Sequence, residues 1–298
     1  MAYTTTQFIA NVKRRAAIPT SQSTYTNAGI MALGDAELRS FILPMVMNSH
    51  EMYYAYDVDT ALNATGIYEI PTRSIGGKIV DVALVNGDDR LDVDWITEDS
   101  LVRYDQTPSG SPGVYIKRNQ MRLIPVDGAG FSSIRQTILI RPGQLVETSA
   151  CAQITAINTG TNTVTFATGT IPATFVTTAN FDFIQNKPHF DHLAIDQTAT
   201  SITTTTMVFS SLSSRLAVGD WVSLAEESCI VQCPVELQPL LEQSTANTIL
   251  RAQGDLEKAA SGEKELKRMV DGCTNLYTPR IEQEGKKLVN RSNITRRL

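Results

Sequence analysis

Two histidines and two cysteines, in the patterns His189-x-x-His192 and Cys229-x-x-x-Cys233, are the residues whose types and spacing could hold a metal. Imidazole nitrogens and thiolates are the usual ligands of structural zinc, which draws on tight pairs brought together by the fold. Asp191 and Asp196 stand nearby in sequence, so a metal-dependent hydrolase is the chemistry such a cluster would offer. The cysteine spacing is wider than the usual C-x-x-C, and Cys229 and Cys233 flank a strand end, where i and i+4 share a face. Buried cysteines and a surface histidine pair are therefore expected, with no metal. The remaining histidine, His50, falls within a helical stretch near its apolar face, a position for packing. No G-x-S-x-G elbow, no G-x-x-x-x-G-K-[ST] and no G-x-G-x-x-G after a strand occurs, which removes the signatures of acyl transfer, nucleotide hydrolysis and dinucleotide binding. Asp88, Asp89, Asp92, Asp94, Glu98 and Asp99 lack calcium-loop spacing and read as a solvated acidic rim facing other subunits or a lumen. The expectation is a protein that is not an enzyme, with no catalytic residue and no cofactor.

The elements that would position such groups belong to an ordinary folded chain. Its 298 residues are 42% hydrophobic and 19% charged, with a net charge of -5. That length buries a sizeable core. The acidic balance argues against wrapping duplex DNA, although a mildly acidic wall lets DNA slide past without sticking. Four cysteines, Cys151, Cys229, Cys233 and Cys273, are too few and too scattered for a disulfide scaffold. The best apolar run, Phe41 to Met47, is too short to span a membrane, and the polar start is not a signal peptide. A reducing cytoplasm is the expected site of synthesis.

The patterning divides the chain into five stretches and predicts an α+β fold. Residues 1–33, with the basic triplet Lys13-Arg14-Arg15, read as an N-terminal arm with little structure of its own. Residues 34–145 read as a helix followed by an antiparallel β region. In that helix Asp35 is the expected N-cap, Leu38, Phe41, Ile42, Met45, Ser49 and Met52 form the apolar stripe, and Pro44 predicts a kink. Strands are expected at Ile67–Pro71, Lys78–Val85, Val114–Lys117, Met121–Ile124 and Ser133–Arg141, with a turn at Asn86-Gly87-Asp88 and a loop over 106–113. Residues 146–226, Thr-rich and nearly free of Lys and Arg, read as a β insertion domain, a small sandwich or barrel containing a hairpin around Asn158 to Asn162.

Residues 227–276 predict a helical hairpin or a broken long helix. Gly254 closes its first half, Asp255 caps the second, Leu256, Ala259, Glu263, Leu266, Val270 and Cys273 recur along one side, and Glu263 and Lys267 pair at i,i+4. Residues 277–298 are a C-terminal arm. From Pro279 onward it carries six Lys/Arg against two Glu and no apolar period long enough to bury itself. Such an arm stays disordered or lies on another subunit, so Pro279, Arg280, Lys286, Lys287, Arg291, Arg296 and Arg297 are the candidate partner-binding residues.

Several stretches resemble a known group. Leu38 to Val46 with Glu51-Met52-Tyr53-Tyr54, then Tyr68 to Lys78, look like the opening of virion neck proteins of tailed bacteriophages. Val218-Gly219-Asp220-Trp221-Val222, Cys233 to Leu237, Pro239 to Gln243, Thr278-Pro279-Arg280 and Lys286 to Arg291 look like their later parts. The resemblance implies a head-to-tail adaptor in the virion neck, assembled in the host cytoplasm. It would form a ring of twelve copies beneath a portal protein, meet tail or nozzle proteins on its other side, and pass DNA through its lumen with no membrane involved. In such adaptors the helical part and C-terminal arm grip the portal or a neighbouring subunit, while β parts face outward or toward the tail. The large β content departs from small all-helical adaptors. A tail terminator, a tail-tube protein or a fibre-attachment collar protein is the alternative within virions.

Overall fold

Thr4 starts the first helix. Its hydroxyl accepts the Gln7 N–H while the Gln7 side chain accepts the Thr4 N–H at 3.0 Å, so two otherwise unpaired donors are satisfied reciprocally. The computed structural model describes residues 2–19, 24–49, 51–97, 112–124, 130–187 and 191–277. Helix α1 (Thr5–Arg15) buries Phe8, Ile9 and Val12, so this stretch is not the little-structured arm that the sequence suggested. Its apolar residues are few, and they find their partners on the C-terminal helices.

Helix α2 (Asn27–Glu37) is capped by Thr26, whose hydroxyl accepts the Gly29 N–H at 3.1 Å. Asp35 therefore lies inside the helix and is not its N-cap; both its carboxylate oxygens accept the Leu145 N–H. A π-helical stretch, Leu38–Ile42, leads into α3 (Leu43–Ser49). Pro44 has no N–H to give and its ring crowds the preceding turn, and the widened stretch directly before it accommodates both. Leu38, Ile42 and Val46 are buried, whereas Met52, expected on the same stripe, is 54% exposed beyond the helix end.

Eight strands follow: β1 (Ala55–Ala61), β2 (Ile67–Glu69), β3 (Ser74–Asn86), β4 (Asp89–Asp92), β5 (Asp94–Trp95), β6 (Gly113–Lys117), β7 (Gln120–Ile124) and β8 (Ser133–Ile140). They form two four-stranded sheets, β1-β8-β3-β4 and β2-β7-β6-β5. Pairing is antiparallel except between β5 and β6. Tyr68, Val114, Met121 and Leu123 from one sheet share a buried core with Val82, Leu84, Ile134 and Ile138 from the other. Gly87 turns β3 into β4 with φ 63°, which a glycine adopts without strain. The predicted loop over 106–113 lies mostly outside the described residues.

The insertion is a closed barrel. Strands β10 (Ala152–Asn158), β11 (Thr163–Phe166), β12 (Asn180–Ile184), β13 (His192–Ile202), β14 (Thr206–Phe209) and β15 (Trp221–Leu224) pair in the order β10-β11-β14-β13-β12-β15 and back to β10. Phenylalanines fill its interior edge to face: Phe175 with Phe181 and Phe183 with Phe209, each pair 5.0 Å apart. Before the barrel runs β9 (Gln144–Leu145) and after it β16 (Glu227–Ser228), paired in parallel. The chain leaves the barrel beside the point where it entered.

The C-terminal end is a hairpin of α4 (Gln238–Ala252) and α5 (Leu256–Tyr277). Gly254, at φ 79°, allows the reversal, and Asp255 accepts the Lys258 N–H at 3.2 Å. The helices approach so closely that a Cβ on Gly262 would fall 2.1 Å from Asn247 Oδ1. Glu263 pairs with Arg251 across the hairpin at 2.6 Å and not with Lys267, and Leu256 is 71% exposed instead of joining the stripe. Helix α4 is unusual in burying polar residues. Glu242 accepts from Tyr3 Oη, from Asn11 Nδ2 at 2.7 Å and from Arg15 Nε at 2.9 Å, which ties α1 to the hairpin. Arg15, part of the basic triplet, thus serves an internal ion pair.

Candidate functional site

Arg73 occupies the turn between β2 and β3, where the Ser74 N–H donates to the Pro71 carbonyl at 3.0 Å and the Arg141 N–H to the Arg73 carbonyl at 2.8 Å. Its side chain leaves the two-sheet body and meets the outer face of the barrel, because Asp182 alternates along β12 with Phe181 and Phe183, which point inward. Nη1 and Nη2 meet Asp182 Oδ1 and Oδ2 at 2.8 and 2.6 Å, a planar two-point pairing that only a guanidinium offers a carboxylate. Asp182 is fully buried. It sits on β12 where the register with β13 shifts, and its carboxylate also accepts the N–H groups of Asp196 at 3.0 Å and Glu226 at 3.1 Å. Both those residues hold left-handed backbones, φ 52° and 66°, a strain that persists because the shared carboxylate binds their amides. Asp196 Oδ1 reaches Arg73 Nη1 at 3.4 Å. Burial opposes charge on Arg73, and Asp182's hydrogen bonds and charge overcome it, holding the guanidinium's pKa above its ordinary value. The result is a buried, multiply bonded joint between sandwich and barrel.

His192 opens β13 beside this joint. Burial, helped by Arg73's charge and opposed by Asp182's, pushes its pKa down to about 4, so the imidazole is neutral at ordinary pH. Its ring meets Tyr56 of β1 edge to face at 6.4 Å. On the outer side of this pair lies a groove of about 850 Å³ between the β1-β8-β3-β4 sheet and the barrel. Strand register explains its chemistry. Asp57 and Asp81 both stand opposite Thr137, while Asp59 stands opposite Arg135, and facing residues on one sheet surface interact. Arg135 grips Asp59 through two bonds of 2.7 and 2.8 Å, Arg90 reaches Asp81 at 2.6 Å and Asp92 at 2.9 Å, and Arg215 closes the far wall on Asp191. Four aspartates, Asp57, Asp59, Asp81 and Asp191, face three arginines, Arg90, Arg135 and Arg215, across the groove, so most of its charge is paired within the chain.

The residues singled out for metal binding are dispersed. Cys229 lies against Cys151 at the barrel's base, Cys233 belongs to the helical core, and Asp191 is engaged by Arg215. Among the described residues no group of three His, Cys, Asp or Glu side chains is placed to hold a metal ion. His50, His189, Glu98 and Asp99 lie outside the described residues, as do Pro279, Arg280, Lys286, Lys287, Arg291, Arg296 and Arg297. Of the acidic run, Asp92 is drawn into ion pairing by Arg90. No described helix is long and apolar enough to cross a membrane.

Sequence reasoning missed Arg73, Asp182 and the groove. A signal for Asp182 was present, since one carboxylate between Phe181 and Phe183 in an apolar strand implies a buried partner. The period-two pattern of Asp57 with Asp59, and of Arg135 with Thr137, marks one polar face of a sheet. Compared with known proteins, the chain matches no family model and no curated sequence.

Proposed function

We propose that the chain is a structural virion protein: a head-to-tail adaptor subunit that closes a neck ring, docks on a portal and joins the capsid to the tail. The observation that carries this reading is the mixed-charge groove, set between two bodies that the buried Arg73–Asp182 pair joins. A surface whose charges are already mostly paired has little hold on a ligand of single sign such as nucleic acid. It complements another protein surface of mixed charge, where matching of signs fixes register and rejects wrong partners. Closure into a ring then multiplies a modest contact. The basic segment from Pro279 to Leu298 supplies a second attachment, to the portal or to a neighbouring copy. The net charge of -5 suits a lumen through which DNA passes without sticking.

Native mass spectrometry of the full chain, alone and mixed with portal protein, tests the reading. A closed ring, or a ring-on-portal complex, is expected; a chain that stays monomeric in both samples at micromolar concentration overturns it. Deleting residues 279–298 is expected to leave a folded subunit that no longer attaches to heads, and infectious particles built from the truncated chain would remove the arm from the account. The large barrel favours a second reading within virions, a tail terminator, tail-tube or collar protein. Negative-stain images of particles labelled at the C-terminus separate the two by where the label sits.

A further inference from the structure

Cys151 and Cys229 stand where the chain enters and leaves the barrel. Cys151 directly precedes β10 and Cys229 directly follows β16. The parallel pairing of Ser228 with Leu145, and the Val146 N–H bonded to the Ser228 carbonyl at 3.0 Å, bring the two ends together. Both side chains lie in one buried cluster with Ala2, Ile184 and Ile230, and Cys151 beside it, together with burial, raises the Cys229 thiol's pKa. The other two thiols, Cys233 and Cys273, belong to the helical core. Access differs within the pair. Cys151 borders an open pocket of about 470 Å³ together with Thr148, Gln153 and Trp221, and Cys229 is fully buried and does not line it.

We propose that Cys151 and Cys229 form a redox modification site, at which a hydroperoxide converts the two thiols into an intrachain disulfide that locks the barrel to the body. The order of events follows from access. Peroxide enters through the pocket and the Cys151 thiolate attacks one oxygen; the O–O bond breaks, hydroxide leaves and Cys151 becomes a sulfenic acid. The Cys229 sulfur then attacks the Cys151 sulfur, forming the S–S bond and breaking S–O, while the Cys229 proton goes to the departing hydroxide. In balance, two thiols and one hydrogen peroxide give one disulfide and two waters.

The test treats the full-length wild-type chain with hydrogen peroxide, blocks remaining thiols with iodoacetamide in denaturant, and maps peptides without reduction. The expected result is one linked peptide pair containing Cys151 and Cys229, with Cys233 and Cys273 alkylated. The melting temperature should rise by about 5–10 °C, as for closure of a long loop, and fall back with dithiothreitol. Cys233→Ser should retain the cross-link and Cys151→Ser should lose it. Alkylation of all four cysteines after oxidation, sulfinic acid accumulating on Cys151, or cross-links between chains would each overturn the assignment.

Discussion

Arg73 and Asp182, 109 positions apart in the chain, share two parallel hydrogen bonds of 2.8 and 2.6 Å with both side chains almost wholly removed from solvent. No other ion pair among the described residues is so deeply buried on both sides. Removing one member leaves an uncompensated charge in the interior. Arg73→Met should therefore cost about 3–5 kcal/mol in urea unfolding. The double variant Arg73→Met/Asp182→Leu should recover part of that loss, although the Asp196 and Glu226 amides then lose their acceptor. A single variant within about 1 kcal/mol of wild type would show that the joint does not hold sandwich and barrel together.

Two buried groups pull the pH dependence of stability in opposite directions. His192 has a folded pKa of about 4 against an ordinary 6.5. The unfolded chain binds the extra proton between those values, so stability is lost as pH falls from 6.5 to 4, by about 3 kcal/mol in all. Asp35 behaves inversely. Burial raises its carboxyl to about 6, against the lowering effects of the Leu145 amide and Arg39. The folded chain then binds the extra proton, and stability falls as pH rises from about 4 to 6, by about 3 kcal/mol. Urea midpoints across this range should show a shallower acid loss in His192→Gln, and in Asp35→Asn a steeper acid loss with higher stability at pH 7. Identical profiles for the two variants would contradict the assignment.

Three helical glycines should respond differently to alanine. A Cβ on Gly34 meets the Phe8 ring at 2.6 Å, and one on Gly262 meets Asn247 at 2.1 Å, whereas nothing lies within 4 Å of Gly272. Gly34→Ala and Gly262→Ala are expected to lower stability by about 1–3 kcal/mol through overpacking. Gly272→Ala should raise it by up to about 1 kcal/mol through helix propensity. Thermal unfolding of the three variants settles the order, and a stabilising Gly262→Ala would refute the close approach of α4 and α5.

Substituting Arg135 should separate folding from the proposed assembly. Its pairing with Asp59 is partly exposed, and such pairs contribute about 0–1 kcal/mol. Arg135→Glu should change stability by no more than about 1–2 kcal/mol, yet place like charges across the groove and weaken ring formation. Sedimentation velocity checks this, and unchanged assembly would exclude the groove as the contact.

What the sequence determined by itself was local. Gly254 and Asp255 mark the break between α4 and α5, the residues around Asn158 to Asn162 mark the β10–β11 hairpin, and Gly87 marks the β3–β4 turn, because backbone conformation and capping depend on a few adjacent side chains. The tertiary structure decided what depends on distant partners. Phe8, Ile9 and Val12 are too few to pay for an isolated helix, and they form one because α4 and its buried Glu242 receive them. Asp35 looked like a cap beside Gly34, but Thr26 starts that helix and Leu145 takes the carboxylate. Barrel over sandwich was decided by β10 meeting β15, a closure between strands far apart in the chain. The site followed the same rule: a charge on β12 and an arginine in the β2–β3 turn become one joint only when two sheets pack, and no sequence window spans both.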